Sequence, residues 1–238
     1  MYRTLNADKL VDTGEKLSQR IEERFPSAGL GEVAREICAT LRDSAARAEK
    51  IAQPNIPLRI GLVLLVVLLI AGMVALIQLD AGEQLGRIWR AMAATQGAAV
   101  SLAVVFFFFW TLETRFKRRK ALKAIHEVRT LIQVIDMHQL AKNPEQVSEG
   151  GSVEIGGRPM DGTAMTFYLE FCTELLSLVS KIGHLFVQDF PDSVSLNAAD
   201  QIETLATGMS NKIWQKIMIL QSIRAEQEAA SGPLPQKG

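Results

Sequence analysis

The chain has 238 residues, with 26 Lys plus Arg set against 26 Asp plus Glu and a formal net charge of zero. That balance excludes a globally basic, polyanion-binding protein, and two cysteines exclude a disulfide-stapled scaffold. The informative feature is where the apolar and basic residues cluster.

Two amphipathic helices are predicted at the start, over 8–25 and 29–52, separated by "FPSAG". Leu10, Leu17, Ile21 and Phe25 form one apolar stripe, and Leu30, Val33, Ile37, Leu41 and Ile51 form another. Nothing before them resembles a cleavable leader. "QPNIP" then breaks the chain at Pro54 and Pro57.

Ile60 to Leu79, "IGLVLLVVLLIAGMVALIQL", carries no charge, and its length suits a hydrocarbon core of about 30 Å. A second uncharged run between Arg90 and Glu113 is Ala-rich at first and then strongly apolar, ending in "VVFFFFW". The two are expected to form a transmembrane hairpin, with spans at about 60–79 and 93–112. The connector 80–92 places Leu85, Ile88, Trp89 and Met92 at helical spacing, as a short interfacial helix or a plain turn would. Arg115, Lys117, Arg118, Arg119, Lys120 and Lys123 follow the second run directly. Such a cluster orients a span and holds anionic lipid headgroups at about 1 kcal/mol per cation. Trp89 and Trp110 are the expected interfacial rings, which makes these eight residues candidate membrane anchors. Both termini are expected to be cytoplasmic and the protein to sit in the inner membrane. Gly97, Ala98, Ala99 and Ser101 are small enough for helices to approach closely, and are candidate oligomer contacts.

Beyond the cations, Leu122, Ile125, Val128, Ile132 and Ile135 continue a helical stalk to Asn143-Pro144. Residues 144–163 read as a Gly-rich loop. Tyr168, Phe171, Leu175, Leu178, Ile182 and Leu185 make a heptad seam able to pack within the chain, or against a second copy as a coiled coil. Leu196 to Leu220 outlines a last helix, and 225–238 a disordered tail. The expected fold class is an all-α membrane protein. It comprises an N-terminal hairpin (1–56), a transmembrane hairpin (57–115), and a stalk and bundle (116–224), the cytoplasmic bundle being built from both ends of the chain.

The sequence offers little chemistry. His126 and His138 are twelve residues apart, about 120° around one helix, and Asp136 and His138 point in different directions. A metal-bound form using His126, Asp136 and His138 therefore needs other elements. "EGGSVEIGGRP" lacks the ending of a phosphate-binding loop. No nucleophile elbow or paired-acid signature is present. No enzymatic activity, cofactor, metal or nucleic acid is expected. Cys38 and Cys172 fall in apolar helical patterns, as buried thiols do.

The layout of "IGLVLLVVLLIAGMVALIQL", "AAVSLAVVFFFFW" and "RFKRRK" resembles two-transmembrane-helix bacterial anti-phage defence effectors. That resemblance implies an antiviral defence role in which the bundle receives a signal or partner and the hairpins form a homo-oligomer that perturbs the membrane. The alternative is a membrane tether or scaffold that positions an unidentified cytoplasmic protein partner.

Overall fold

The computed structural model describes residues 4–26, 28–54, 56–79, 84–140, 142, 153–155, 158–190 and 192–230. The elements are α1 (Ala7–Arg24), α2 (Gly29–Ala52), α3 (Ile56–Leu79), α4 (Gln84–Leu140), β1 (Val153–Ile155), β2 (Arg158–Met160), α5 (Gly162–Leu185) and α6 (Ser193–Ala230). They fall into two compact units: Met1–Ala52 with Ala121–Gly238, and Gln53–Lys120.

The first unit is a helical bundle around α5. That helix begins where Asp161 accepts a hydrogen bond from the Ala164 amide (2.7 Å), satisfying an amide left open by the first turn. The expected seam is buried, but so are Met165 before it and Leu169, Cys172, Leu176 and Val179 between its positions. A helix apolar over so much of its circumference must be enclosed by neighbours. The seam is therefore consumed inside the chain. Leu17, Ile21, Leu30, Ile37 and Leu41 of α1 and α2, Val128, Ile132 and Ile135 of α4, and Ile202, Ile213 and Ile217 of α6 are buried in the same core. Phe25 meets Tyr168 and Phe171 edge-on, with centroids 5.6 and 6.1 Å apart, and anchors the end of α1 on α5. Gly14 sits where α1 crosses its neighbours. A Cβ there would lie 3.2 Å from Leu178 Cδ2 and 3.3 Å from Leu41 Cδ2.

Within the expected loop 144–163, β1 and β2 pair antiparallel, with Val153 opposite Met160 and Ile155 opposite Arg158. This strand pair departs from the all-α expectation. α6 starts at Asp192, whose carboxylate accepts from the Ser195 amide and hydroxyl, both at 3.0 Å. It extends to Ala230, past the expected end at 224. Residues 231–238 of the expected tail lie outside the described residues.

The second unit contains α3 and the part of α4 up to Lys120. Arg59, near the start of α3, pairs with Glu113 of α4 at 3.7 Å. α4 is continuous from Gln84 to Leu140, so the expected connector helix, second span and stalk are parts of one helix. No proline interrupts this stretch, and the first breaker downstream is Asn143-Pro144.

Among the described residues, no helix is long and apolar enough to cross a membrane. This overturns the fold class of a transmembrane hairpin with spans at about 60–79 and 93–112. It also overturns the inner-membrane, multi-pass location with both termini cytoplasmic. A crossing needs about 20 consecutive apolar residues, and the described part of neither α3 nor α4 meets that requirement.

Candidate functional site

The second unit presents apolar side chains outward. On α3, Ile60, Val63, Leu64, Val67 and Leu68 are exposed, Leu68 by 70%. At 100° per residue these positions, with Ile70 and Val74, cover an arc of about 160°. On α4, Val100, Val104, Phe106, Phe107 and Phe108 are exposed, Phe107 by 71%. Isolated exposed apolar residues are ordinary, whereas an exposed apolar surface of this extent is uncommon on a folded monomer.

Next to this surface are the basic residues. Arg115, Arg119 and Lys120 are exposed, as is Lys123 just beyond in the bundle unit, whereas Lys117 and Arg118 are partly buried. Lys117 lies 3.4 Å from Glu113, the carboxylate that also meets Arg59. Glu113 thus holds two cations while its own side chain is only 18% exposed. The six-residue cluster is therefore divided. Lys117 serves packing inside the unit, and four members project outward.

Of the candidate oligomer contacts, Gly97 and Ser101 are exposed. The Ser101 hydroxyl donates to the Gly97 carbonyl at 2.9 Å within α4. The side chains of Ala98, Ala99, Trp89 and Trp110 lie outside the described residues, although their backbones belong to α4.

The structure does not bring His126, Asp136 and His138 together. His126 is exposed on α4 beside Ala198, Gln201 and Ile202 of α6. Asp136 accepts from Gln139 Nε2 at 2.6 Å. His138 Nδ1 lies 3.0 Å from the Val134 carbonyl, which can only accept, so Nδ1 carries the proton. Its Nε2 sits close to Gly29, at the start of α2.

Two arrangements escaped sequence reasoning. His184, Asp200 and Glu203 place one ligand atom each within 4.8 Å of one another, with His184 Nε2 3.0 Å from Glu203. Asp200 and Glu203 are exposed, and the group is a surface ion cluster of ordinary kind. No local pattern announces it, because His184 is on α5 and the acids are on α6.

The second is a polar node at the end of α4. Lys216 of α6 donates to the Gln139 carbonyl (2.9 Å), the Gln139 side-chain oxygen (2.8 Å) and the Lys142 carbonyl (3.2 Å). An ammonium at a helix C-terminus satisfies open carbonyls and complements the helix dipole. Burial nevertheless pushes the Lys216 pKa down, with Asp136 and Cys172 opposing that shift. Cys172, fully buried beside this node, is pushed up to about 12 by burial. Cys38 is also raised, mainly by burial, and both thiols are free. Such thiols are poor nucleophiles.

No family model matches this chain, and neither a search of curated proteins nor one of solved structures finds a match.

Proposed function

We propose that the protein is a non-catalytic interaction protein. Its 53–120 unit docks on an anionic lipid surface and thereby holds the helical bundle there. The observation carrying this reading is the exposed apolar surface of α3 and α4 beside the exposed Arg115, Arg119 and Lys120. A folded protein partner offers a groove that fits one stripe of a helix. An arc of about 160° is wider than such a stripe and suits a fluid apolar phase. Cations next to that phase match phosphate headgroups. No crossing of the bilayer is invoked. A membrane-perturbing effector built on paired spans draws on crossing helices, so the tether is the form proposed.

The test is flotation of the purified chain with vesicles of zwitterionic lipid, with and without an anionic component. Neutralising Arg115, Arg119 and Lys120 to Gln should weaken binding to anionic vesicles by roughly a hundredfold, at about 1 kcal/mol per cation. Binding to zwitterionic vesicles should not change. Equal binding of variant and wild type to anionic vesicles would refute the role of the cations. Absence of the chain from both vesicle fractions would refute the docking itself.

A further inference from the structure

A groove of about 450 Å³ lies within the bundle unit between α4 and α6. Its floor is apolar. Ile125 and Ile202 are buried at its base, with Leu122 and Leu205 partly buried beside them. Its rim carries the Arg129 guanidinium and the His126 imidazole, both exposed, on the α4 side, and the exposed, uncharged Gln201 and Thr204 on the α6 side.

Charge has been sorted around this groove. No carboxylate is among the residues lining it. The nearest acids on the same helices face elsewhere. Glu127 of α4 binds Arg47 of α2 at 2.5 Å, and Glu203 of α6 binds His184 of α5 at 3.0 Å, with Asp200 in the same cluster. Two helices that each carry acids thus present only cationic and neutral groups to the apolar trough.

The groove also has a direction. α6 runs parallel to α4. Ala198 to Leu205 flank Leu122 to Arg129, and further along both helices Lys216 meets Gln139. Leu122 and Ala198 therefore close one end, and Arg129 with Leu205 the other. The trough is about 10 Å long, seven residues at 1.5 Å each. One end is apolar, and the guanidinium stands at the other.

We infer that this groove binds a single-chain amphiphile with an anionic head, such as a medium-chain fatty acid. The tail lies over Ile125 and Ile202 towards Leu122 and Ala198, and the carboxylate meets Arg129 with His126 alongside. A trough of this length holds an alkyl chain of medium length. Its volume falls in the range of small-molecule sites, which are mostly apolar with a few polar groups that fix orientation. A guanidinium suits a carboxylate because it presents a planar pair of donors. This site is independent of the lipid-docking reading, since it uses only bundle residues.

The experiment follows the histidine ring resonances of the full chain during titration with decanoate below its micellar concentration. There are three histidines, so the spectrum has few peaks, and His126→Gln assigns the one in the groove. Decanoate should shift the His126 signal saturably and leave His138 and His184 unmoved. Decanol, with the same tail and no charge, should bind roughly tenfold more weakly, and Arg129→Gln should reduce decanoate to the level of decanol. Circular dichroism of the variant should show unchanged helix content, because Arg129 is exposed. The inference is overturned if decanoate leaves His126 unmoved, or if decanol binds as tightly and Arg129→Gln has no effect. It is also overturned if an acidic amphipathic peptide shifts His126 where decanoate does not, which would assign the groove to a protein partner.

Discussion

Replacing Lys216 with Met keeps the aliphatic stem and removes the ammonium that closes the end of α4. The wild-type ammonium makes three hydrogen bonds, two of them to Gln139, a residue only 3% exposed. Leaving a buried acceptor without a donor costs about 1–3 kcal/mol, so the two Gln139 acceptors lose roughly 4 kcal/mol. Lys142 is only partly buried, and water can replace its bond. Against this stands the burial of the charge itself. The lowered pKa of Lys216 shows that its surroundings disfavour the ammonium on balance, and Met removes that penalty. The net expectation is a loss of about 2 kcal/mol, or roughly 4–8 °C in Tm for a domain of this size.

The pH dependence has a definite sign. A lysine with a lowered folded pKa makes the unfolded chain bind more protons as pH rises from that lowered value towards the ordinary 10.5. Wild-type stability should therefore rise relative to Lys216→Met over that window, and the difference should be flat at lower pH. Thermal and urea unfolding followed by circular dichroism at several pH values measures both effects. A Tm within 1 °C of wild type at neutral pH, or a difference curve of opposite slope, would refute the reasoning.

Gly14→Leu should destabilise the bundle by about 1–3 kcal/mol, because a Cβ already comes within 3.2 Å of Leu178 and the larger side chain must force α1 away. Urea unfolding measures it, and an unchanged midpoint would show that α1 is not held against α5 at that point. Cys172 should resist alkylation in the native state at pH 8 and react once the chain is unfolded, since it is buried and held up to about 12. Rapid modification of the folded protein, located by mass spectrometry, would contradict its placement.

The bundle was legible in the sequence because its helices announce themselves by period. Val128, Ile132 and Ile135 of α4, and Tyr168 to Leu185 of α5, recur at spacings of three and four and are buried. The same rule left open what the α5 seam packs against. Periodicity marks one apolar face, while Leu169, Cys172, Leu176 and Val179 show that the opposite side is buried too. The apolar runs at 60–79 and 93–112 suit crossings by length, pairing and flanking charge, and the described residues do not sustain that expectation. The β1–β2 pair was missed because Val153 to Ile155 and Arg158 to Met160 are too short to alternate visibly. The Lys216 node and the α4–α6 groove join positions about 77 residues apart. Only the packing of two helices reveals them, since nothing local distinguishes Lys216 from any other lysine.

In the proposed function, lipid meets the exposed apolar surface of the 53–120 unit. A nitroxide label at Phe107→Cys addresses it directly, because the native thiols Cys38 and Cys172 are buried and a label at an exposed position is selective. On adding anionic vesicles, the label should become more accessible to oxygen and less accessible to a polar nickel chelate. A label at the exposed Trp214 in the bundle should report no change. Unchanged accessibility at position 107, or the same change at both positions, would rule out lipid docking through this surface.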